Sequence, residues 1–317
     1  MKKLILVTGG FGMIGSAIGR LTDVDNSNEF EYIFIGGSEH YDLTNPDEAD
    51  SLLFCDYPNA YGVIHLAAKV GGIKYNITNP CDLYEDNIMM NTNMVKLSRY
   101  HGVKRFIGVL STCAYPNVAE SYPMTEDMMI TGTAPAPTNL GYGYAKRMMA
   151  VHIEACNKQY GTKYNYVIPS NVYGIGDNYS EHKSHFIGAL IRKIHIAKTT
   201  GADSIKIGGT GIAKRQFMYC DDVARAIITA MEKDISESFN ICSVDNLSIT
   251  EITNIALKAC SAEHLKIEYD SSIPDGQIMK EASNSKMMQL MPDFKYTSLE
   301  DGIKIAYQEY KQLLNAQ

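Results

Sequence analysis

The sequence predicts an α/β fold, a doubly wound parallel sheet with a smaller C-terminal domain, on three observations. First, apolar runs of strand length recur: Leu4-Ile5-Leu6-Val7, Tyr32-Ile33-Phe34-Ile35, Gly62-Val63-Ile64-His65-Leu66-Ala67-Ala68, Arg105-Phe106-Ile107-Gly108-Val109-Leu110 and Tyr164-Asn165-Tyr166-Val167-Ile168. Continuous runs of this kind mark strands covered on both faces, as in a parallel sheet. Second, stretches with helical spacing alternate with them, the pattern of βαβ units. Third, the first run enters Gly9-x-x-Gly12-x-x-Gly15 ahead of an apolar-periodic helix.

Composition narrows the class. The 317 residues suffice for one large or two modest domains, and 45% hydrophobic with 21% charged residues is an ordinary soluble balance. A net charge of −7 argues against nucleic acid or an anionic membrane as partner. An anionic ligand therefore has to be held by a few local cations. Seven cysteines without a Cys-x-x-Cys pair indicate reduced thiols, a cytoplasmic setting and no metal site. No stretch is long and apolar enough to span a bilayer, and the run after Lys2-Lys3 breaks too soon for a signal peptide.

In chain order, Gly9, Gly12 and Gly15 permit a tight turn and close approach of backbone to a pyrophosphate. The helix opening at Met13-Ile14 adds free N–H groups there. The second strand ends where an adenosine ribose would lie. Gly36-Gly37-Ser38-Glu39-His40 offers neither an immediate acid for NAD nor a base for the 2′-phosphate of NADP, so the coenzyme stays open. Asp42 either accepts from an adenine amino group or caps a helix over residues 46–50. Small residues close the third run, leaving room for a cofactor at Leu66 and Ala67. Residues 69–76 read as a loop. Residues 80–101 read as a long helix whose methionines serve the core or helix packing.

The fourth strand ends in Ser111-Thr112-Cys113-Ala114-Tyr115-Pro116, polar and thiol groups at the edge where such sheets do chemistry. Tyr142 and Lys146 stand four apart at the opening of a helix and share a face. An ammonium beside a phenol lowers the phenol pKa and suits it to acid–base work. Asn171, after the fifth strand, can bond a sugar or its own loop. Residues 186–198 form an amphipathic helix carrying Arg192 and Lys193. Arg215 has the planar fork for bidentate diphosphate contact, and Lys280 is a second cation for phosphate or ribose. Asp221 and Asp222 open another helix as dipole partners, and residues 299–314 form a final packing helix.

The order of these motifs resembles the extended short-chain dehydrogenase/reductases, a Rossmann-type superfamily. Within it the chain resembles the GDP-L-fucose synthase family over nearly its whole length. The resemblance rests on Ser111-Thr112-Cys113-x-Tyr115-Pro116, Tyr142-Gly143-Tyr144-Ala145-Lys146-Arg147-Met148, Ile168-Pro169-Ser170-Asn171-Val172-Tyr173-Gly174, Arg215-Gln216-Phe217 and Pro274-Asp275-Gly276-Gln277. It implies NADPH-dependent conversion of GDP-4-keto-6-deoxy-mannose to GDP-L-fucose, by epimerisation at carbons 3 and 5 and reduction at carbon 4. It also implies roles. Ser111 bonds the reacting carbonyl, and Tyr142 gives the proton to the carbon 4 oxygen. Lys146 lowers the phenol pKa and holds the nicotinamide ribose. Cys113 removes the protons, and His185 returns one to the other face. A cation around Lys193 meets the nucleotide diphosphate. The cofactor set is Gly9, Gly12, Met13, Ile14, Gly15, Asp42, Leu66, Ala67, Tyr142, Lys146, Pro169 and Asn171. The expected domains are 1–170 plus about 219–240 for the dinucleotide, and about 171–218 with 241–317 for the substrate. A homodimer through the helices containing 80–101 and 142–160 is implied as well.

These roles are chemically coherent. Protons beside a ketone become acidic when donors surround the enolate oxygen, and inversion needs groups on opposite faces. On position alone His185 reads rather as a surface histidine, and the catalytic reading comes from Cys113 and the resemblance. Two departures concern the sugar: Gly208 stands where the family has tryptophan, and Gly174-Ile175-Gly176-Asp177 replaces Gly-Pro-His-Asp. A roomier pocket at Gly208 would suit a GDP-heptose or related sugar. A nucleotide-sugar 4-epimerase needs no thiol/imidazole pair. A non-catalytic dinucleotide-binding regulator needs none of Ser111, Tyr142 and Lys146.

Overall fold

The computed structural model describes residues 2–24, 29–181 and 184–315. Its centre is a six-stranded sheet of β1 (Lys3–Thr8), β2 (Phe30–Ile35), β3 (Gly62–His65), β4 (Arg105–Val109), β5 (Lys163–Pro169) and β6 (Phe239–Ile241). The order is β6-β5-β4-β3-β1-β2 with every pair parallel. The chain starts inside the sheet, runs outward to β2, then crosses back to β3. Strand order therefore reverses between β1 and β3, the place where such sheets bind ligands beyond the strand ends.

The apolar runs are buried on both faces, as a parallel sheet requires: Leu6, Val63 and Phe106 pack into one core, and Ile5, Val7, Ile64 and Ile107 into the other. The helix Pro80–Tyr100 turns Leu83, Asn87, Asn91, Met94, Val95 and Ser98 inward, a stripe at helical spacing that is half polar. Met94 is fully buried in the core, while Met89 is exposed. The helix Leu140–Tyr160 lies beside it. Contact is close because a Cβ at Gly141 would come within 2.3 Å of the Pro80 carbonyl oxygen.

The expected loop over 69–76 instead contains a helix, Ile73–Thr78. Its start is tied down by Asn76, whose amide donates to the Gly71 carbonyl at 2.7 Å. Six residues carry too little periodicity to announce a helix. The third strand is shorter than its apolar run and stops at His65. Past β5, the short strands Asn171–Tyr173 and Phe217–Tyr219 pair, as do Ser204–Gly208 and Lys266–Asp270. The helix Cys220–Glu232 returns to the main sheet beside the helix Met13–Val24, joined to it by the Arg20–Asp221 ion pair at 2.6 Å.

Candidate active site

Directly after β4, residues Thr112–Ala114 form one 3₁₀ turn capped by Ser111, whose Oγ accepts from the Cys113 amide at 3.2 Å. Arg147 fixes this turn from the helix Leu140–Tyr160. Its guanidinium donates to the Ala114 carbonyl at 2.6 and 3.0 Å and to the Gly132 and Thr133 carbonyls at 3.0 and 2.7 Å. Gly143 lets the helix press onto the turn, since a Cβ there would lie 2.9 Å from the Cys113 carbonyl oxygen.

This packing gathers Ser111, Cys113 and Tyr142, and Ser111 pulls down the pKa of both the thiol and the phenol. Burial pushes the Cys113 thiol up, but the charge of Lys280 and hydrogen bonds from Ser111, Asn139 and Lys280 outweigh it and hold the thiol below its ordinary range. Lys280 Nζ lies 3.6 Å from Cys113 Sγ. Arg215 feels the same thiolate, together with Asp275. Burial and then the Cys113 charge raise the Tyr142 phenol above its ordinary value. This corrects the expectation that Lys146 lowers it. The Lys146 ammonium donates instead to the Val109 carbonyl at 2.8 Å, and burial draws its own pKa down to about 8. A phenol kept protonated is a proton donor.

The glycine turn fits a dinucleotide. Gly9 has φ +68°, and a Cβ on it would lie 2.8 Å from the Ala67 nitrogen. A Cβ on Gly15 would lie 2.4 Å from the Gly10 carbonyl oxygen, and the Gly12 amide donates to the Gly9 carbonyl at 3.0 Å. Backbone at Gly9, at Leu66-Ala67 and in the first turn at Met13-Ile14 is thereby brought together. The 12-residue helix Met13–Val24 starts there without an acid in its first turn, the electrostatic setting a pyrophosphate requires.

Several predicted residues have partners within the protein itself. Asp42 does not cap the next helix. Asn45 does, accepting from the Asp47 amide at 3.0 Å, while one Asp42 oxygen accepts from the Thr44 amide and hydroxyl. Pro169 ends β5 beside Ile241, and Asn171 donates to the Gln216 carbonyl at 2.8 Å, so it bonds its own loop. Lys193 donates to the Lys206 carbonyl at 2.7 Å, and burial, then Arg192, pulls its pKa down. His185 is exposed at the head of the helix Phe186–Thr200, where its charge acts on Asp177. Burial raises the Asp177 carboxyl to about 6 in spite of the Asn178 amide and His185. Among the described residues no hydrogen bond or ion pair joins His185 to Cys113. The room expected at Gly208 is occupied: a Cβ there would meet Ile273 at 3.1 Å.

One polar chain had no local signal beyond a histidine in an apolar run. Thr8 Oγ1 lies 2.8 Å from His65 Nδ1, His65 Nε2 lies 3.2 Å from Asn91 Oδ1, and Asn91 donates to the Ala145 carbonyl at 3.1 Å. It links the glycine turn, β3 and both long helices, and ends one residue before Lys146. Burial, then Lys146, lowers the His65 pKa to about 3.

A parallel sheet with a glycine cradle and a serine, thiol and phenol at its carboxyl edge fits the dinucleotide-dependent Rossmann-type enzymes. Residues 5–242 match the NAD dependent epimerase/dehydratase family, and the chain belongs to it. It is similar to the probable GDP-L-fucose synthase of Drosophila melanogaster, 35% identical over 98% of this chain and 97% of that relative. It is likewise similar to the GDP-L-fucose synthase of Dictyostelium discoideum, 36% identical over 96% and 93%. Among solved structures, a GDP-L-fucose synthetase from Naegleria fowleri bound to NADP superposes with a TM-score of 0.87 at 31% identity, covering 99% of this chain and 94% of that one.

Proposed function

We propose that this protein converts GDP-4-keto-6-deoxy-D-mannose to GDP-L-fucose, epimerising carbons 3 and 5 and reducing carbon 4 with NADP(H). The observation that carries this reading is the Ser111, Cys113 and Tyr142 cluster at the end of β4, in a chain whose relatives at 35% and 36% identity over nearly full length are GDP-L-fucose synthases. Gly9, Gly12, Met13, Ile14 and Gly15 hold the pyrophosphate, with Leu66, Ala67, Pro169, Asn171 and Asp42 along the cofactor and Lys146 at the nicotinamide ribose. Bound NADPH supplies the hydride for carbon 4.

Cys113 takes a proton from the carbon beside the ketone. The C–H pair moves into the carbonyl, and Ser111 and Tyr142 hold the enolate oxygen. His185 returns the proton on the opposite face, and Tyr142 protonates the carbon 4 oxygen during reduction. Arg215 and Lys193 are the cations available to the diphosphate, while Lys280 lies 3.6 Å from the Cys113 sulfur. The body carrying the dinucleotide comprises residues 1–170 with about 219–240, and the remainder holds the sugar nucleotide. No described helix is long and apolar enough to cross a membrane. Seven free cysteines support a reducing, cytoplasmic setting.

The test combines NADPH oxidation with NMR of the product formed in D₂O. The reading requires one hydride consumed per product and deuterium at carbons 3 and 5. Reduction without deuterium would leave a simple reductase.

A further inference from the structure

We propose that Lys280 is the counter-ion of the Cys113 thiolate, and that residues 277–283 form a strap whose purpose is to hold it there. The inference rests on the function proposed above and assigns Lys280 to the base rather than to the diphosphate.

The geometry carries it. Lys280 Nζ is 3.6 Å from Cys113 Sγ, although 167 positions separate the residues in sequence. The strap is fastened on both sides of Lys280. The Ile278 carbonyl accepts from the Lys214 amide at 2.9 Å, and the Glu281 carbonyl accepts from the Met124 amide at 2.8 Å. The Ser283 amide donates to the Met124 carbonyl at 2.8 Å. Gln216, 4% exposed, pairs with the Ala282 peptide twice, accepting from its amide at 2.8 Å and donating to its carbonyl at 3.1 Å. A buried side-chain amide bonded to both polar groups of one residue fixes the backbone two positions from the lysine. Cys242 adds a contact from its sulfur to the Ala282 carbonyl at 3.1 Å.

A thiolate takes a carbon-bound proton only while it is ionised, and a cation beside it raises the ionised fraction at neutral pH. The division of labour is then clear. Lys280 serves the sulfur, while Arg215, whose Nη1 donates to the Lys214 carbonyl at 2.7 Å, keeps other donors for the diphosphate.

The experiment measures alkylation of Cys113 by iodoacetamide from pH 6 to 10 in the full-length protein, read by peptide mass spectrometry. Exposed Cys55 in the same sample is the internal reference. In Lys280→Met the Cys113 profile should move to higher pH, with about tenfold slower alkylation at pH 7, and Lys280→Arg should restore most of it. Deuterium incorporation at carbons 3 and 5 should fall by a similar factor at pH 7 and recover toward pH 9, with the KM for the sugar nucleotide unchanged. An unmoved alkylation profile together with a raised KM overturns the proposal and returns Lys280 to the diphosphate. A shifted profile with no deuterium in the parent enzyme's product upholds the ion pair and rejects the epimerase reading.

Discussion

At the scale of single residues, the phenol is the instructive case. Tyr142 is held protonated by burial and by the neighbouring Cys113 charge, which suits the donor role proposed for it. Tyr142→Phe should lower steady-state NADPH oxidation by about 10²–10⁴-fold, while Ser111 sustains measurable deuterium uptake by the substrate in D₂O. Cys113→Ser should do the reverse, losing deuterium at carbons 3 and 5 with the circular dichroism spectrum retained. Unchanged exchange in that variant removes Cys113 from its role. Ser111, Cys113 and Tyr142 were legible because each follows a recognisable boundary, the end of a strand or the opening of a helix. Asp42 was less so. Asp42 and Asn45 are both competent caps, and register against Pro46 decided for Asn45.

At the scale of elements, the turn after β4 is shaped from outside. Arg147 supplies the hydrogen bonds of three carbonyls that have no ladder partner. Arg147→Met leaves them unsatisfied and should lower unfolding free energy in urea by about 2–4 kcal/mol. The polar chain through His65 has a pH signature. Its pKa is about 3 in the fold against 6.5 for an ordinary histidine, so the unfolded chain binds more protons between those values. Stability from this group is complete above 6.5 and declines as pH falls, by about 1.4 kcal/mol per pH unit. Asp177 works in the opposite sense. Raised to about 6 from 3.8, it contributes most below 3.8 and loses that contribution as pH rises through 6. The difference between the parent and His65→Gln isolates the histidine. Urea titrations from pH 7 to 4.5 should show the parent losing stability more steeply. Parallel curves would mean that His65 is not buried neutral.

At the scale of the whole molecule, the helices Pro80–Tyr100 and Leu140–Tyr160 leave Tyr84, Met89, Leu140 and Val151 exposed. The homodimer implied by the family resemblance would use these two helices, and it makes a prediction. Light scattering should give twice the 35.2 kDa chain mass, and Met89→Glu with Val151→Glu should give the monomer. The nucleotide half was readable because its information is local: apolar runs, a glycine turn, helix openings. In the second half the helices Phe186–Thr200 and Leu299–Asn315 were readable too, but the contacts between distant segments were not, because they carry no periodicity. Gln216 with Ala282, Lys280 with Cys113, and Ile273 over Gly208 leave no trace in spacing. The neighbour of Gly208, Ile273, lies 65 positions away in sequence.

The strap also imposes an order on biosynthesis. A ribosome finishes β4 and its cysteine long before it reaches the lysine that awakens the sulfur, so the growing polypeptide carries a sluggish thiol through the period when it is least shielded. On this proposal the sulfur gains its cation only once a segment 167 positions further along the chain has docked.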